Sequence, residues 1–191
     1  AYEKAVELSP MDPSPLIGMA RVEMYSNNLK KAENYLNSAL SVKRDFTPAI
    51  FLLSQIELKK GDLKGAIKKS EEIALLSPNN AGAFFQLGIL YYQDKNYNGA
   101  KSAFKRAVGI NPNYSNARYF LGLIYDKDGS VKKAIEQFKK IEKLNPDNKE
   151  VKLILKNLNS GKKALDGISP PKKSPEKRGQ PPINEKPKIK K

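Results

Sequence analysis

The sequence predicts an all-α solenoid built from antiparallel helix pairs that repeat every 34 residues. Pro78, Pro112 and Pro146 are 34 residues apart, and Pro10 lies 68 residues before Pro78. Apolar residues inside each repeat recur at i, i+3, i+4 and i+7, which is the period of an amphipathic helix. One such helix pair cannot bury its apolar face alone, so the pairs must stack on one another.

The first twelve residues fit the second helix of a truncated leading repeat. Tyr2 and Ala5 stand in the columns that Phe104 and Ala107 occupy 102 residues later. The chain therefore begins in the middle of a repeat. We expect the missing first helix, and further protein, to lie upstream of Ala1.

Four full repeats follow this leading segment without a single insertion. Residues 34 apart, which form one column, are of similar type in successive repeats. Small residues recur in two columns, where two helices must approach closely. The repeats are 13–46, 47–80, 81–114 and 115–148, and the two small-residue columns are Ala20, Ser54, Gly88 and Gly122, then Ala32, Ala66, Ala100 and Ala134.

Local signals place the helix boundaries within the repeats. Ser14-Pro15 and Thr47-Pro48 each read as an N-cap residue followed by a proline at the first helical position. Gly61 and Gly129 supply the turns between paired helices, where a left-handed residue ends the first helix.

After the last repeat the sequence predicts a capping helix and then a tail. Residues 149–160 carry apolar residues on one side and Lys on the other, as a terminal repeat requires for solubility. From residue 159 onward there are ten Lys/Arg against three Asp/Glu, and 161–191 contain six of the 13 prolines. We therefore expect 161–191 to be a disordered Lys/Pro-rich tail.

The residues of the third and fourth full repeats resemble the tetratricopeptide repeat family, and the resemblance covers residues 1 to about 160. The family implies a right-handed superhelix of helix pairs. The residues that carry the resemblance are Phe84, Leu87, Gly88, Tyr91, Ala100, Phe104, Ala107 and Pro112, then Leu121, Gly122, Tyr125, Ala134, Phe138 and Pro146.

The resemblance also implies a peptide-binding groove on a concave wall formed by the first helix of each repeat. For Phe51 and Phe85 the alternative of packing between repeats weighs equally with the groove. The predicted groove residues are Ile17, Arg21, Met24, Phe51, Gln55, Leu58, Phe85, Ile89, Tyr92, Tyr119 and Leu123.

Composition excludes most chemistry for this chain. Its 191 residues include no Cys and no His, which removes disulfides, Cys/His zinc sites, iron–sulfur clusters and Ser-His-Asp catalysis. No apolar run approaches the ~20 residues of a membrane-spanning helix. We therefore expect this segment to be neither an enzyme nor a cofactor protein.

The sequence thus favours a scaffold or adaptor that binds a protein or peptide partner. Two alternatives stay open. One is the C-terminal repeat region of a larger bacterial membrane enzyme of envelope polysaccharide assembly, resembling O-antigen ligases or polymerases, with its catalytic part upstream. The other is a binder of anionic polymers or nucleic acid through the basic tail, since the net charge is +15. Lys dominance over Arg in the tail favours weak attraction to anionic surfaces over specific nucleic-acid recognition.

Overall fold

A computed structural model describes residues 2–168 of the chain. Within that range every regular element is an α-helix, which confirms the predicted all-α helical repeat solenoid. Most of the expected tail, 169–191, lies outside the described residues. The ten helices are α1 (Tyr2–Leu8), α2 (Ser14–Tyr25), α3 (Leu29–Val42), α4 (Thr47–Lys60), α5 (Leu63–Leu76), α6 (Ala81–Gln93), α7 (Tyr97–Ile110), α8 (Ser115–Lys127), α9 (Val131–Leu144) and α10 (Lys149–Asn159).

The helices divide between two compact bodies. The N-terminal body, 1–79, holds α1 to α5, and the C-terminal body, from residue 80 onward, holds α6 to α10. In both bodies the two helices of one repeat pack against each other, as α2 does with α3 and α6 with α7. Each second helix also packs on the first helix of the next repeat in its body.

Two helix starts differ by one residue from the prediction. Ser14 and Thr47 are the first helical residues and not the N-caps, so the following prolines occupy the second position. The Asp12 carboxylate accepts a hydrogen bond from the Ser14 amide at 2.9 Å, which satisfies a free donor at the start of α2. The turns are as predicted, because Gly61 and Gly129 adopt φ values of 85° and 75°.

In the C-terminal body the small-residue column faces aromatic rings. A Cβ added at Gly88 would lie 2.6 Å from the Phe104 ring, and one at Gly122 would lie 2.6 Å from the Phe138 ring. Phe104 also stacks on Phe120 of the next repeat, with ring centroids 5.3 Å apart. Glycine in the first helix thus lets a full ring fill the gap between paired helices.

In the N-terminal body other residue pairs form the equivalent contact between the two helices of a repeat. Ser54 and Ser70, which occupy the Gly and Phe columns, join their hydroxyl groups at 3.3 Å in a buried position. The Ser54 hydroxyl also donates to the Ala66 carbonyl at 3.2 Å. A buried hydrogen bond therefore replaces the ring-on-glycine contact, and neither hydroxyl is left unsatisfied.

Arg118 occupies the position that Leu16, Ile50 and Phe84 hold in the earlier repeats, and its buried side chain connects two helices. Its guanidinium donates to the Pro112 carbonyl from Nε at 2.8 Å and from Nη2 at 2.6 Å. Nη1 donates to the Gln137 side chain at 2.8 Å. Burial lowers the pKa of the Arg118 guanidinium below its ordinary value. The planar guanidinium thus joins the loop before α8 to α9.

Residues 161–168, which the sequence assigns to the tail, fold back onto the C-terminal body. Ala164 is fully buried, and its amide donates to the Asp126 carboxylate at 3.0 Å. The Asn157 amide donates to the carbonyls of Ala164 and Asp166 at 3.1 and 2.6 Å. These contacts, together with Ile168 against the core, explain the order of a segment that composition alone assigns to the tail.

Candidate functional site

In the N-terminal body the predicted groove residues fall into two classes. Ile17 and Met24 are buried and belong to the core cluster of that body. Arg21 is exposed, and Phe51 on α4 leaves 38% of its surface free, while Gln55 and Leu58 are half-buried. The first helices α2 and α4 therefore present apolar and polar side chains to solvent.

An open cleft of about 580 Å³ lies along α2 in this body. Its floor is Gly18 with the ring of Tyr2 against it, and Ile17 and Arg21 form part of the wall. The cleft is mainly apolar, because its lining residues are Tyr2, Ser14, Ile17, Gly18, Arg21, Val22, Tyr25, Phe46 and Pro48.

Arg21 lies in the middle of α2 and lines the cleft, whereas Asp12 precedes the helix and is not among the lining residues. Arg21 is exposed, and it is the one cationic side chain among the described residues that line the cleft. Near the helix start, hydrogen bonds from Ser14 hold the pKa of the Asp12 carboxyl below its ordinary value of 3.8. The guanidinium of Arg21 is thus the cleft's available cation, and it suits a carboxylate on a bound segment.

In the C-terminal body Phe85, Ile89 and Tyr92 are half-buried along α6. Phe85 lies in an aromatic group, with ring centroids 5.0 Å from Tyr114 and 5.8 Å from Phe104. Tyr92 meets Tyr97 edge-on at 5.5 Å. For Phe85 the packing interpretation left open by the sequence is therefore the better one.

Tyr119 and Leu123 on α8 belong to the core, and we remove them from the predicted groove. Tyr119 is only 1% exposed, its hydroxyl donates to Glu150 of α10 at 2.6 Å, and its ring meets Phe138 edge-on. Leu123 is buried in the same cluster. The chain after the fourth repeat covers the face that earlier repeats expose.

Of the nine residues that line the cleft, the sequence predicted only Ile17 and Arg21. Val22 is 56% and Tyr25 95% exposed, although both are apolar in character and lie on α2. Tyr2 is 49% exposed. The aromatic residues at the equivalent position of later second helices, Phe104 and Phe138, are fully buried. The available signal for Val22 and Tyr25 was their apolar character at positions outside the repeat's core columns.

The described residues hold no cluster of three or more Asp or Glu that could bind a metal ion. Among the helices of 2–168, none is both long and apolar enough to span a bilayer.

Comparison with known proteins agrees with the repeat pattern. Residues 91–158 match the sequence model described as tetratricopeptide repeat, which confirms the resemblance seen in the third and fourth repeats. No curated protein sequence matches the chain significantly.

Solved structures of tetratricopeptide repeat proteins share this fold. YrrB, described as a TPR protein with an unusual peptide-binding site, is 23% identical, with a TM-score of 0.71 over 87% of this chain and 88% of its own. MamA is 22% identical, with a TM-score of 0.69 over 82% of this chain and 85% of its own. A TPR protein from Parabacteroides merdae is 19% identical, with a TM-score of 0.70 over 78% of this chain and 61% of its own. At these identities the likeness shows the fold.

Proposed function

We propose that this chain is a protein-interaction module that holds a segment of a partner protein against α2 and α4. The observation that carries this proposal is the exposure of Arg21 and Phe51 on neighbouring first helices, beside an open apolar cleft. Exposed aromatic side chains and arginines are enriched at protein-binding surfaces. The fold class, shared with a repeat protein described as having a peptide-binding site, supports the same proposal.

The chemistry of the surface defines the partner segment. It needs an apolar side chain to contact Phe51 and a carboxylate to pair with Arg21. Because the apolar contact dominates, binding should depend weakly on salt, whereas capture by diffuse positive charge would weaken steeply between low and physiological salt.

A library of displayed peptides, selected on the immobilised full chain, tests this proposal. Phe51→Ala should weaken the selected peptides at least tenfold, because truncating a central aromatic anchor removes most of its contact. Leu75→Ala is the matched control, since Leu75 is 81% exposed on the second helix α5. Equal losses in both variants, or selection of acidic peptides that bind only at low salt, would contradict the proposal.

A further inference from the structure

One side of the terminal helix α10 is lined with lysines. The apolar side of the helix packs into the core of the C-terminal body, where Val151 and Leu158 are buried. Lys149, Lys152 and Lys156 are spaced three and four residues apart, so they lie together on the opposite side, and all three are exposed. We call this side of α10 the lysine face.

The acidic residue of α10 lies away from the lysine face. Glu150 is the single acidic residue in this helix, and its carboxylate accepts a hydrogen bond from the Tyr119 hydroxyl of α8 at 2.6 Å. Elsewhere in the same body a carboxylate neutralises a surface lysine directly, as Asp128 does for Lys101. The positive charge of the lysine face is therefore directed at solvent, where it attracts anions.

An exposed leucine stands within the lysine face. Leu153 is 40% exposed, and it lies four residues after Lys149 and three before Lys156. Leu165 is 41% exposed, in the segment that Asn157 of α10 holds by hydrogen bonds. Apolar side chains flanked by lysines are typical of helices that lie at the boundary between lipid headgroups and acyl chains.

The fold-back of 161–168 ties further positive charge to the same helix. Asn157 of α10 donates to the Asp166 carbonyl at 2.6 Å, and Ile168 packs against the core. Residues 169–191 follow directly in the sequence and contain eight Lys/Arg against two Asp/Glu. This charge therefore begins three residues after a contact with α10.

We propose that the lysine face binds the surface of an anionic phospholipid bilayer. An extended anionic surface can contact the three lysines at once, and each Lys close to such a surface strengthens binding about fivefold. The Leu153 side chain enters the headgroup region, while the neighbouring ammonium groups reach lipid phosphates and carboxylates. This inference goes beyond the proposed function, which concerns the N-terminal body.

Nucleic acid is a poorer occupant of the lysine face. All its cations are lysines, whereas bidentate recognition of phosphate uses the planar fork of arginine. Its exposed apolar side chain is a leucine, which offers no ring on which a base can stack. A hydrophilic polyanion would also leave Leu153 in water.

Sedimentation of the full chain with lipid vesicles tests the proposal. The anionic vesicles are phosphatidylcholine with about one third phosphatidylserine, and the neutral vesicles are phosphatidylcholine alone. We expect the chain to bind the anionic vesicles and not the neutral ones. Binding should weaken as NaCl is raised from about 0.1 M to about 0.5 M, because salt screens the attraction between exposed charges.

Neutralising the lysine face should remove most of this binding. Lys149→Gln, Lys152→Gln and Lys156→Gln together should weaken it about a hundredfold, since each charge contributes about fivefold. Gln matches Lys in helix propensity, and an unchanged circular dichroism melting curve verifies the fold. The matched control removes the same charge from the N-terminal body, at the exposed Lys30, Lys64 and Lys68. This control should lose less than about fivefold.

Leu153→Gln distinguishes a bilayer from other polyanions. It should weaken binding to anionic vesicles about threefold, because the side chain loses apolar contact. It should leave binding to a DNA duplex, measured at the same salt and the same phosphate concentration, unchanged.

Four results would overturn the proposal. The first is equal binding to neutral and anionic vesicles. The second is wild-type binding by the triple variant of the lysine face, since residues 169–191 would then suffice. The third is an equal loss in the two triple variants, which would mean that only net charge counts. The fourth is tighter binding to the DNA duplex than to the anionic vesicles, since the surface would then serve nucleic acid.

Discussion

The ring of Phe138 in α9 lies against the backbone of Gly122 in α8, and a Cβ at Gly122 would be 2.6 Å from the ring. Phe138 is fully buried, so the ring has no free space into which it can retreat. The two residues therefore determine each other, as do Gly88 and Phe104 one repeat earlier. Where the column carries Ala20, its partner in the second helix is the smaller Leu36.

Gly122→Ala should lower the free energy of unfolding of the C-terminal body by about 1 kcal/mol. Overpacking costs about 1–3 kcal/mol, and the gain in helix propensity offsets about 1 kcal/mol of that cost. Urea denaturation followed by circular dichroism measures the change. Gly109→Ala is the control, because Gly109 is exposed in α7 with no atom within 4 Å of an added Cβ.

The control should be stabilised by up to about 1 kcal/mol. Combining Gly122→Ala with Phe138→Leu should cost about 1 kcal/mol less than the two single changes together, because the Leu side chain vacates the space that the new methyl needs. Additive losses would mean that the Gly122–Phe138 contact is not what constrains this helix pair.

Arg118→Lys should destabilise the chain by about 1–3 kcal/mol, although it conserves the charge. A lysine ammonium cannot reproduce the planar set of donors that reaches both the Pro112 carbonyl and the Gln137 side chain. Chemical denaturation measures the loss. Arg44→Lys, at an exposed position, should change stability by less than about 0.5 kcal/mol. If Arg118→Lys also changed stability by less than about 0.5 kcal/mol, the planar geometry of the guanidinium would not be required.

Asp126→Ala should release 162–168 from the C-terminal body. The Ala164 amide loses its acceptor, and leaving a buried donor unsatisfied costs about 1–3 kcal/mol. Hydrogen exchange at the Ala164 amide should accelerate at least tenfold. The matched variant Asp128→Ala removes only a surface ion pair with Lys101 and should leave that exchange rate unchanged. Unchanged protection in Asp126→Ala would contradict the assigned contact.

Glu23 should make the N-terminal body sensitive to acid. Hydrogen bonds from Lys31, and then from Asn28, lower the pKa of Glu23 below its ordinary value of 4.5. The stabilisation that follows is complete above pH 4.5 and is lost as the pH falls through the lowered pKa of the folded state. Glu23→Gln should therefore be less stable than wild type at neutral pH, and the two curves should converge below that window. A constant difference down to the lowest pH would refute the linkage.

The repeat architecture could be predicted because a fixed 34-residue period places the same residue types at the same structural positions. A glycine at position 88 or 122 thus indicates that a large aromatic residue, Phe104 or Phe138, packs against it from the second helix. The period cannot predict the contacts that residues beyond the last repeat make. The burial of Tyr119 depends on α10 and the order of Ala164 on the Asp126 carboxylate, and both are contacts outside the repeat.

The candidate site was predicted only in part for the same reason. Ile17 and Arg21 were placed on the first helix by their column, and both do line the cleft. Val22 and Tyr25 were missed because an apolar residue in an amphipathic helix is normally assigned to the core. Both are exposed because no helix among the described residues covers this face of α2.

We propose that partner segments bind to the first helices α2 and α4 of the N-terminal body. An amide correlation spectrum of the isotope-labelled full chain, recorded while a library-selected peptide is added, tests it most directly. We predict that the largest shifts cluster at Ile17, Arg21, Phe51 and Gln55. Shifts that instead cluster on the second helices, around Leu75 or Leu40, would contradict it.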